Sequence, residues 1–251
     1  MRTETVEIYG AKLDLFINDD GKTRPMIIIC PGGGYTHVSE REGKPVALCF
    51  YEKGYNCAVL TYTCAPQEHF PTQLIQLANS VKMVRKNAEA FFTDPDKICT
   101  MGFSAGGHLA ACLGCFWPEY GILAQVNAQI LCYPVITAGK FAHRGSFENL
   151  CEGNEDLMKM VSLEKMVREC VPPTFIWHTK ADKSVPVENT LLFDKALTKA
   201  KIPHETLLFE TGAHGISLAT EEVVHPANPE PNKEVQVWPD KVDAWLKKLW
   251  K

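Results

Sequence analysis

The chain has 251 residues, of which 45% are hydrophobic and 22% are charged, and its formal net charge is −4 with a pI of about 6.1. This composition excludes a disordered or fibrous chain and is sufficient for the large core of one α/β domain over residues 1–251. The slightly acidic balance argues against nucleic acid or an anionic membrane as partner, so we expect a small or neutral molecule.

The N-terminus and the cysteines favour a cytoplasmic protein. No apolar segment follows a basic start, and no apolar run approaches the length of a membrane span. Several of the ten cysteines lie inside apolar strand or helix patterns, where a reduced thiol acts as a small hydrophobic side chain: Cys30, Cys57, Cys99, Cys112, Cys115 and Cys132. Because no cysteine spacing matches a zinc site, we expect reduced thiols and no structural metal.

Apolar runs alternate with amphipathic stretches along most of the chain, which predicts βαβ units and a mainly parallel sheet with helices on both faces. Near the start, two alternating segments flank Gly10, at 6–9 and 13–17, and predict an antiparallel hairpin at the sheet edge. The continuous apolar run 26–30 predicts a buried central strand, and Pro31 and three glycines at 32–34 follow it.

The same alternation continues through the middle of the chain. A predicted helix over 41–54 precedes a predicted strand over 57–62. Apolar residues then recur at three- and four-residue steps over 74–91, which predicts a long amphipathic helix. The run 97–101 predicts the next strand.

Three later apolar runs bring the number of predicted strands to eight: 128–133, 174–178 and 205–209. Between the first two, at about 134–173, the periodicity becomes irregular, and we expect a small cap or lid insertion there. A loop at 226–233 leads to a last amphipathic helix over 239–249. These elements form a single domain without a second one.

The most informative motif is Gly-Phe-Ser-Ala-Gly at 102–106, between a predicted strand and a predicted helix. This context is typical of a nucleophile elbow, a tight turn that carries an accessible serine. A side chain at Gly102 or Gly106 would collide with the strand or the helix that the turn joins. Ser104 is therefore the predicted nucleophile.

A serine hydroxyl needs a base that titrates near neutral pH, and we expect a histidine. Among eight histidines, His214 lies in a glycine-flanked turn after the last predicted strand, whereas His108 lies four residues along the helix from Ser104 and points away. The base needs a carboxylate, and Asp182, which follows the seventh predicted strand, is the predicted one. A helix-capping role for Asp182 is the alternative, and Asp194 is less suitable because it lies inside a helix.

Acyl transfer also needs backbone N–H groups fixed in place for the developing oxyanion. The predicted donors are Gly33 and Gly34, in the glycine turn after the third predicted strand, and Ala105, directly after the serine. Successive glycines after a buried strand lose much conformational entropy on folding, which indicates that their backbone has a functional role. A merely flexible turn is the alternative.

Several segments together resemble bacterial α/β-hydrolases described as acetyl-xylan or sugar esterases: 31–35, 39–42, 102–110, Asp182 and Val185-Pro186. The resemblance extends over nearly the whole chain and implies an eight-stranded α/β-hydrolase fold, a triad of Ser104, Asp182 and His214, and no cofactor. It also implies a serine carboxylesterase that removes short acyl groups, acetyl above all, from sugars or xylo-oligosaccharides through an acyl-enzyme. Pro31 departs from related lipases and esterases, which often have a histidine there.

Two other functions stay open at this point. An aminopeptidase or acyl-peptide hydrolase would use the same triad, although such enzymes usually carry a large additional domain. A noncatalytic binding protein would have no need of an intact triad. The expected partner is a small-molecule ester, with no nucleic acid, membrane or metal ion involved. A homo-oligomer remains open, because the sequence does not determine the oligomeric state.

Overall fold

A computed structural model describes all residues, 1–251. The eight strands are β1 (Arg2–Ile8), β2 (Ala11–Ile17), β3 (Arg24–Cys30), β4 (Asn56–Thr61), β5 (Thr93–Phe103), β6 (Ala128–Cys132), β7 (Thr174–Thr179) and β8 (His204–Phe209). The seven α-helices are α1 (Lys44–Glu52), α2 (Thr72–Lys86), α3 (Ala105–Tyr120), α4 (Arg144–Cys151), α5 (Glu155–Met160), α6 (Glu188–Lys199) and α7 (Trp238–Leu249). The predicted α/β class and the number of strands are confirmed.

All eight strands belong to one sheet, in the order β1-β2-β4-β3-β5-β6-β7-β8. The first two strands form the predicted antiparallel hairpin at the edge, and β2 also pairs antiparallel with β4. From β4 to β8 every neighbouring pair is parallel. Because parallel strands point the same way, the loops after β3, β5, β7 and β8 meet at one edge of the sheet, where ligands bind in open α/β sheets.

The continuous apolar run of β3 is explained by burial on both faces of the sheet. Side chains alternate along a strand, so Met26 and Ile28 pack in one core with α2 and α3. Ile27 and Ile29 pack in a second core on the opposite face with α1 and α7. Each of these side chains is fully buried, which stabilises the fold by about 1.5–3 kcal/mol apiece.

Helix boundaries differ from the prediction at two places. The predicted helix over 41–54 is a short 3-10 turn, Glu40–Glu42, followed by α1, because Gly43 has a non-helical backbone conformation and Pro45 lies in the first turn of the new helix. The predicted helix over 74–91 ends at Lys86, although Phe91 beyond it is also buried. Burial in a turn and burial on a helix face are therefore indistinguishable in the periodicity.

The segment 134–173, where we expect a cap or lid, contains the two short helices α4 and α5. Asn154 begins α5 by accepting backbone N–H groups of Asp156 and Leu157. The segment contributes several side chains to the core that also contains α2 and α3: Phe147, Leu150, Cys151, Met158, Val161 and Leu163. Movement of this segment as a lid stays a prediction.

The ten cysteines are free thiols, and most of them are buried. Burial raises the pKa of Cys115 to about 12, as it does for Cys151, so these thiols stay protonated at neutral pH. Separately, none of the helices combines the length and the apolar character that crossing a membrane requires.

Candidate active site

The turn between β5 and α3 has the backbone conformation of a nucleophile elbow. Ser104 has φ 53° and ψ −117°, a strained conformation for a residue other than glycine. A Cβ atom at Gly102 would lie 2.1 Å from the carbonyl oxygen of Gly106, and one at Gly106 would lie 2.0 Å from the carbonyl oxygen of Cys30. Neither approach is sterically possible, so the turn requires glycine at both positions.

The structure brings together the three side chains that we predicted as a triad. His214 Nε2 lies 2.7 Å from Ser104 Oγ, and His214 Nδ1 lies 2.6 Å from Asp182 Oδ2. Ser104 follows β5, Asp182 follows β7 and His214 follows β8, so the shared sheet edge places them side by side. Because a carboxylate only accepts hydrogen bonds, Nδ1–H donates to Asp182, and Nε2 is free to accept the hydroxyl proton of Ser104.

Asp182 is held in one orientation by several donors. Its Oδ1 accepts the backbone N–H groups of Ser184 and Val185, each at 2.9 Å, and its side chain is 0% exposed. Burial by itself raises the pKa of a carboxyl group, but hydrogen bonds from His178 and His214 outweigh it and hold the pKa of Asp182 well below its usual range. Asp182 is therefore an anion at neutral pH.

His178 is the residue of this site that the sequence analysis missed. It is buried, with Nε2 2.9 Å from the carbonyl oxygen of Val185 and 3.3 Å from Asp182 Oδ2. A carbonyl oxygen only accepts, so Nε2 carries a proton, and Nδ1 lies 2.8 Å from the Thr190 hydroxyl. Its position four residues before Asp182, at the end of β7, is the sequence feature that could have identified it as part of the site.

The two rejected alternatives lie outside the site. His108 is fully buried, with Nδ1 2.8 Å from the Tyr35 hydroxyl and Nε2 2.8 Å from the carbonyl oxygen of Val161. Burial lowers the pKa of His108 to about 4. Asp194 accepts from the Thr206 hydroxyl at 2.6 Å and does not contact His214 or Ser104.

The glycine turn after β3 has most of its polar backbone atoms in hydrogen bonds. Gly32 N–H donates to Glu42 Oε2 at 2.8 Å. The carbonyl oxygens of Gly32 and Gly33 accept backbone N–H groups of the following turn, and the carbonyl oxygen of Gly34 accepts from Asn149 Nδ2 at 2.9 Å. The N–H groups of Gly33 and Gly34 are the polar backbone atoms of this turn that have no partner.

These two unpaired N–H groups belong to two of the three predicted oxyanion donors. Gly33 and Gly34 have φ 130° and 62° and line the same cavity as Ser104. Ala105, the third predicted donor, is the first residue of α3, where an N–H group has no acceptor within the helix. The helix dipole adds positive potential at the same end. This arrangement can stabilise negative charge that develops on an atom bonded to Ser104.

A cavity of about 220 Å³ opens above Ser104 and His214. No hydrophobic side chain lines it, and its wall contains glycine backbone and polar side chains, among them Arg41, Glu42, Ser184 and the histidines His37, His143 and His225. The larger surface cavity of about 900 Å³ beside α1 contains none of the predicted site residues. A small polar space above the serine suits a short acyl chain and a hydroxylated alcohol better than a long alkyl chain.

The chain is similar in sequence to known hydrolases. A BD-FAE model matches residues 13–127, and a model of the prolyl oligopeptidase family matches residues 75–228. Endo-1,4-beta-xylanase B of Butyrivibrio fibrisolvens is 39% identical over 85% of this chain and 36% of its own length. Acetylxylan esterase of Xylanibacter ruminicola is 28% identical over 83% of this chain and 47% of its own length. The chain spans less than half the length of these two curated relatives.

Solved structures match the whole fold. The crystal structure of an acetyl ester-xyloside bifunctional hydrolase from Caldicellulosiruptor lactoaceticus superimposes with a TM-score of 0.87 at 35% identity. The match covers 96% of this chain and 88% of that one. The fold is therefore that of a known architecture.

Proposed function

Because the chain belongs to the α/β-hydrolase superfamily, with residues 75–228 matching its prolyl oligopeptidase family, we propose that it is a serine carboxylesterase for short acyl esters. The observation that carries the proposal is the continuous chain of hydrogen bonds from Ser104 through His214 to Asp182, at 2.7 and 2.6 Å, below a small polar cavity. Such a chain activates a hydroxyl that is otherwise a weak nucleophile.

In the proposed reaction Ser104 Oγ attacks the ester carbonyl while its proton passes to His214 Nε2. The N–H groups of Gly33, Gly34 and Ala105 stabilise the negative charge that moves onto the carbonyl oxygen. His214 then protonates the leaving alcohol, which leaves an acyl group on Ser104. Water, deprotonated by His214, attacks this acyl-enzyme, the bond between the acyl group and Ser104 Oγ breaks, and His214 returns the proton to Oγ as the acid is released. Throughout, the ionised Asp182 holds the imidazole and stabilises its cationic form.

We propose acetyl as the acyl group and a sugar, such as a xylo-oligosaccharide, as the alcohol. The cavity supports a hydroxylated alcohol because histidine, serine and arginine side chains in its wall can hydrogen-bond to sugar hydroxyls. Its small volume supports a short acyl chain. The names of two similar proteins, an acetylxylan esterase and an acetyl ester-xyloside bifunctional hydrolase, support the same class of substrate. A small-molecule ester in the cytoplasm is the substrate that we propose.

The test is steady-state hydrolysis of p-nitrophenyl esters from acetate to octanoate, with Ser104→Ala as the control. We expect the highest kcat/KM for acetate and a loss on the order of a million-fold in kcat for the variant. A loss of less than tenfold would show that Ser104 is not the nucleophile. Acetate preference would then be followed with acetylated xylo-oligosaccharides, where acetate release is measured.

A peptidase with the same triad is the second candidate, and the match to the prolyl oligopeptidase family favours it. An aminoacyl p-nitroanilide in the same assay separates the two functions. Cleavage of the anilide without a preference for esters would identify a peptidase. No activity on either substrate would favour a binding protein.

A further inference from the structure

The glycine turn after β3 is fixed by side chains from distant parts of the chain. At its start, the carboxylate of Glu42 accepts Gly32 N–H at 2.8 Å. At its end, the amide of Asn149 donates from Nδ2 to the carbonyl oxygen of Gly34 at 2.9 Å. These two bonds lie on either side of Gly33, so they enclose the two N–H groups to which the proposed function assigns the oxyanion.

A glycine turn needs such external support. Glycine has the greatest backbone freedom of all residues, and both Gly33 and Gly34 have positive φ values. The strength of a hydrogen bond to an oxyanion depends on donor placement within a few tenths of an ångström, and a donor that must reorganise contributes less. Side chains that immobilise the turn therefore affect the rate even though they do not touch the substrate.

Glu42 also connects the glycine turn with the loop of the base. Its side chain is buried, and Oε1 accepts from the Tyr133 hydroxyl at 2.6 Å. That hydroxyl in turn accepts the backbone N–H of Ser217 at 3.0 Å. The Tyr133 ring packs edge-on against the His214 ring, with 5.2 Å between the ring centroids. A single carboxylate thus holds both the oxyanion turn and the packing partner of the base.

Asn149 is itself held firmly, because α4 is docked against the loop before α2. The carbonyl oxygen of Asn149 lies 2.7 Å from His69 Nδ1, and the carbonyl oxygen of Leu150 accepts Phe70 N–H at 2.8 Å. Leu150 and Phe147, on the same helix, are buried. The amide of Asn149 consequently reaches Gly34 from a rigid support.

We propose that Glu42 and Asn149 are positioning residues of the reaction, which hold the N–H groups of Gly33 and Gly34 in the geometry that binds the oxyanion. Through Asn149, the segment 134–173 takes part in the chemical step. This inference rests on the proposed function, because an oxyanion exists only if the protein catalyses acyl transfer.

The first experiment compares Asn149→Asp with the wild type. Aspartate has the same shape as asparagine, but it has no donor for Gly34 and places a carboxylate beside the carbonyl oxygen. The matched control is Glu148→Gln, one residue earlier on the exposed face of α4. We expect kcat for p-nitrophenyl acetate to fall about tenfold to a hundredfold with KM within about twofold, whereas the control keeps both constants.

The affinity of a boronic acid that forms a tetrahedral adduct with Ser104 distinguishes a positioning role from a purely structural one. Its affinity should fall by the same factor as kcat/KM in Asn149→Asp, because the adduct uses the oxyanion donors and the ground-state substrate does not. Thermal unfolding of each variant confirms that the fold is intact.

Two substitutions of Glu42 test the other end of the turn. Glu42→Ala removes the acceptor of Gly32 N–H and should lower kcat and boronic acid affinity together. Glu42→Gln keeps an oxygen that accepts Gly32 N–H, but it replaces the acceptor of the Tyr133 hydroxyl by an NH₂ group, so its kcat and boronic acid affinity should lie between those of the wild type and of Glu42→Ala. If Glu42→Ala does not fold, Asn149→Asp decides the matter by itself, and wild-type kcat and boronic acid affinity in that variant would then overturn the positioning role.

The outcomes separate the two proposals. Wild-type kcat and boronic acid affinity in Asn149→Asp, together with wild-type values in a folded Glu42→Ala, would overturn the positioning role while ester hydrolysis by the wild type stands. An inactive wild type, or activity that survives Ser104→Ala, would overturn the proposed function itself.

Discussion

The substitution Asp182→Asn tests the proposed chemistry most sharply, because it replaces one oxygen by an amide nitrogen and preserves the shape of the side chain. In the structure Oδ1 accepts two backbone N–H groups, those of Ser184 and Val185, both at 2.9 Å. An NH₂ group at that position would face two donors. The amide oxygen of the variant must therefore take the Oδ1 position, and the NH₂ group must face His214.

This forced orientation determines the protonation of the imidazole. Facing an NH₂ donor, His214 Nδ1 must accept, so the single proton of the neutral ring moves to Nε2. Nε2 lies 2.7 Å from Ser104 Oγ and can then no longer accept the hydroxyl proton. We expect kcat/KM to fall about ten-thousand-fold, which corresponds to about 5.5 kcal/mol of transition-state stabilisation.

The assay is p-nitrophenyl acetate hydrolysis from about pH 5 to 9, with thermal unfolding to verify the fold. Asp194→Asn is the matched control, because Asp194 is bonded to the Thr206 hydroxyl and does not contact the triad. We expect it to stay within about twofold of the wild type. If Asp182→Asn keeps more than about a tenth of the activity, or if Asp194→Asn costs more, the reasoning about the carboxylate is wrong.

Three further predictions concern stability and the state of the cysteines. Burial raises the pKa of Asp182, but hydrogen bonding from His178 and His214 outweighs burial and holds this pKa below its usual range. As the pH falls, Asp182 therefore takes up a proton in the unfolded chain before it does so in the folded protein. The stabilising contribution of Asp182 should be complete above about pH 5 and decline below about pH 4 in denaturant titrations, and Asp182→Asn should remove this component. Gly106→Ala places a Cβ 2.0 Å from the carbonyl oxygen of Cys30 and should unfold or severely destabilise the protein. The control is Gly145→Ala, which should leave the melting temperature nearly unchanged because its Cβ has no neighbouring atom closer than 3.9 Å. The chain denatured without reductant should titrate ten thiols with Ellman's reagent, while most of them react slowly in the native protein; fewer than ten would reveal a disulfide.

Features that depend on neighbouring residues could be predicted from the sequence. The apolar runs identified the strands because the sheet buries both faces of its central members, and the edge hairpin was recognisable from strict alternation. The glycines at 102 and 106 indicated the elbow because the collision that they avoid lies within a few residues or on the adjoining strand. The order of the strands along the chain then placed Asp182 and His214 at the sheet edge that bears Ser104.

Features that depend on long-range hydrogen bonds could not be predicted. Asn149 and Gly34 are separated by 115 positions, and nothing in the local pattern around either one indicates the other. His178 lies in a strand whose apolar run accounts for it as a core residue, and its contact with Asp182 depends on the path of the following loop.

Steric limits and hydrophobic periodicity act over short distances, so the strands, the elbow and the serine, aspartate and histidine that follow strand ends could all be predicted from the sequence. Three features could be seen only in the folded protein: Glu42 and Asn149 hold the glycine turn, His178 lies 3.3 Å from Asp182, and the cavity above Ser104 is small and polar. Those contacts arise where loops from separate strands pack together, and the geometry of that packing is a property of the whole domain.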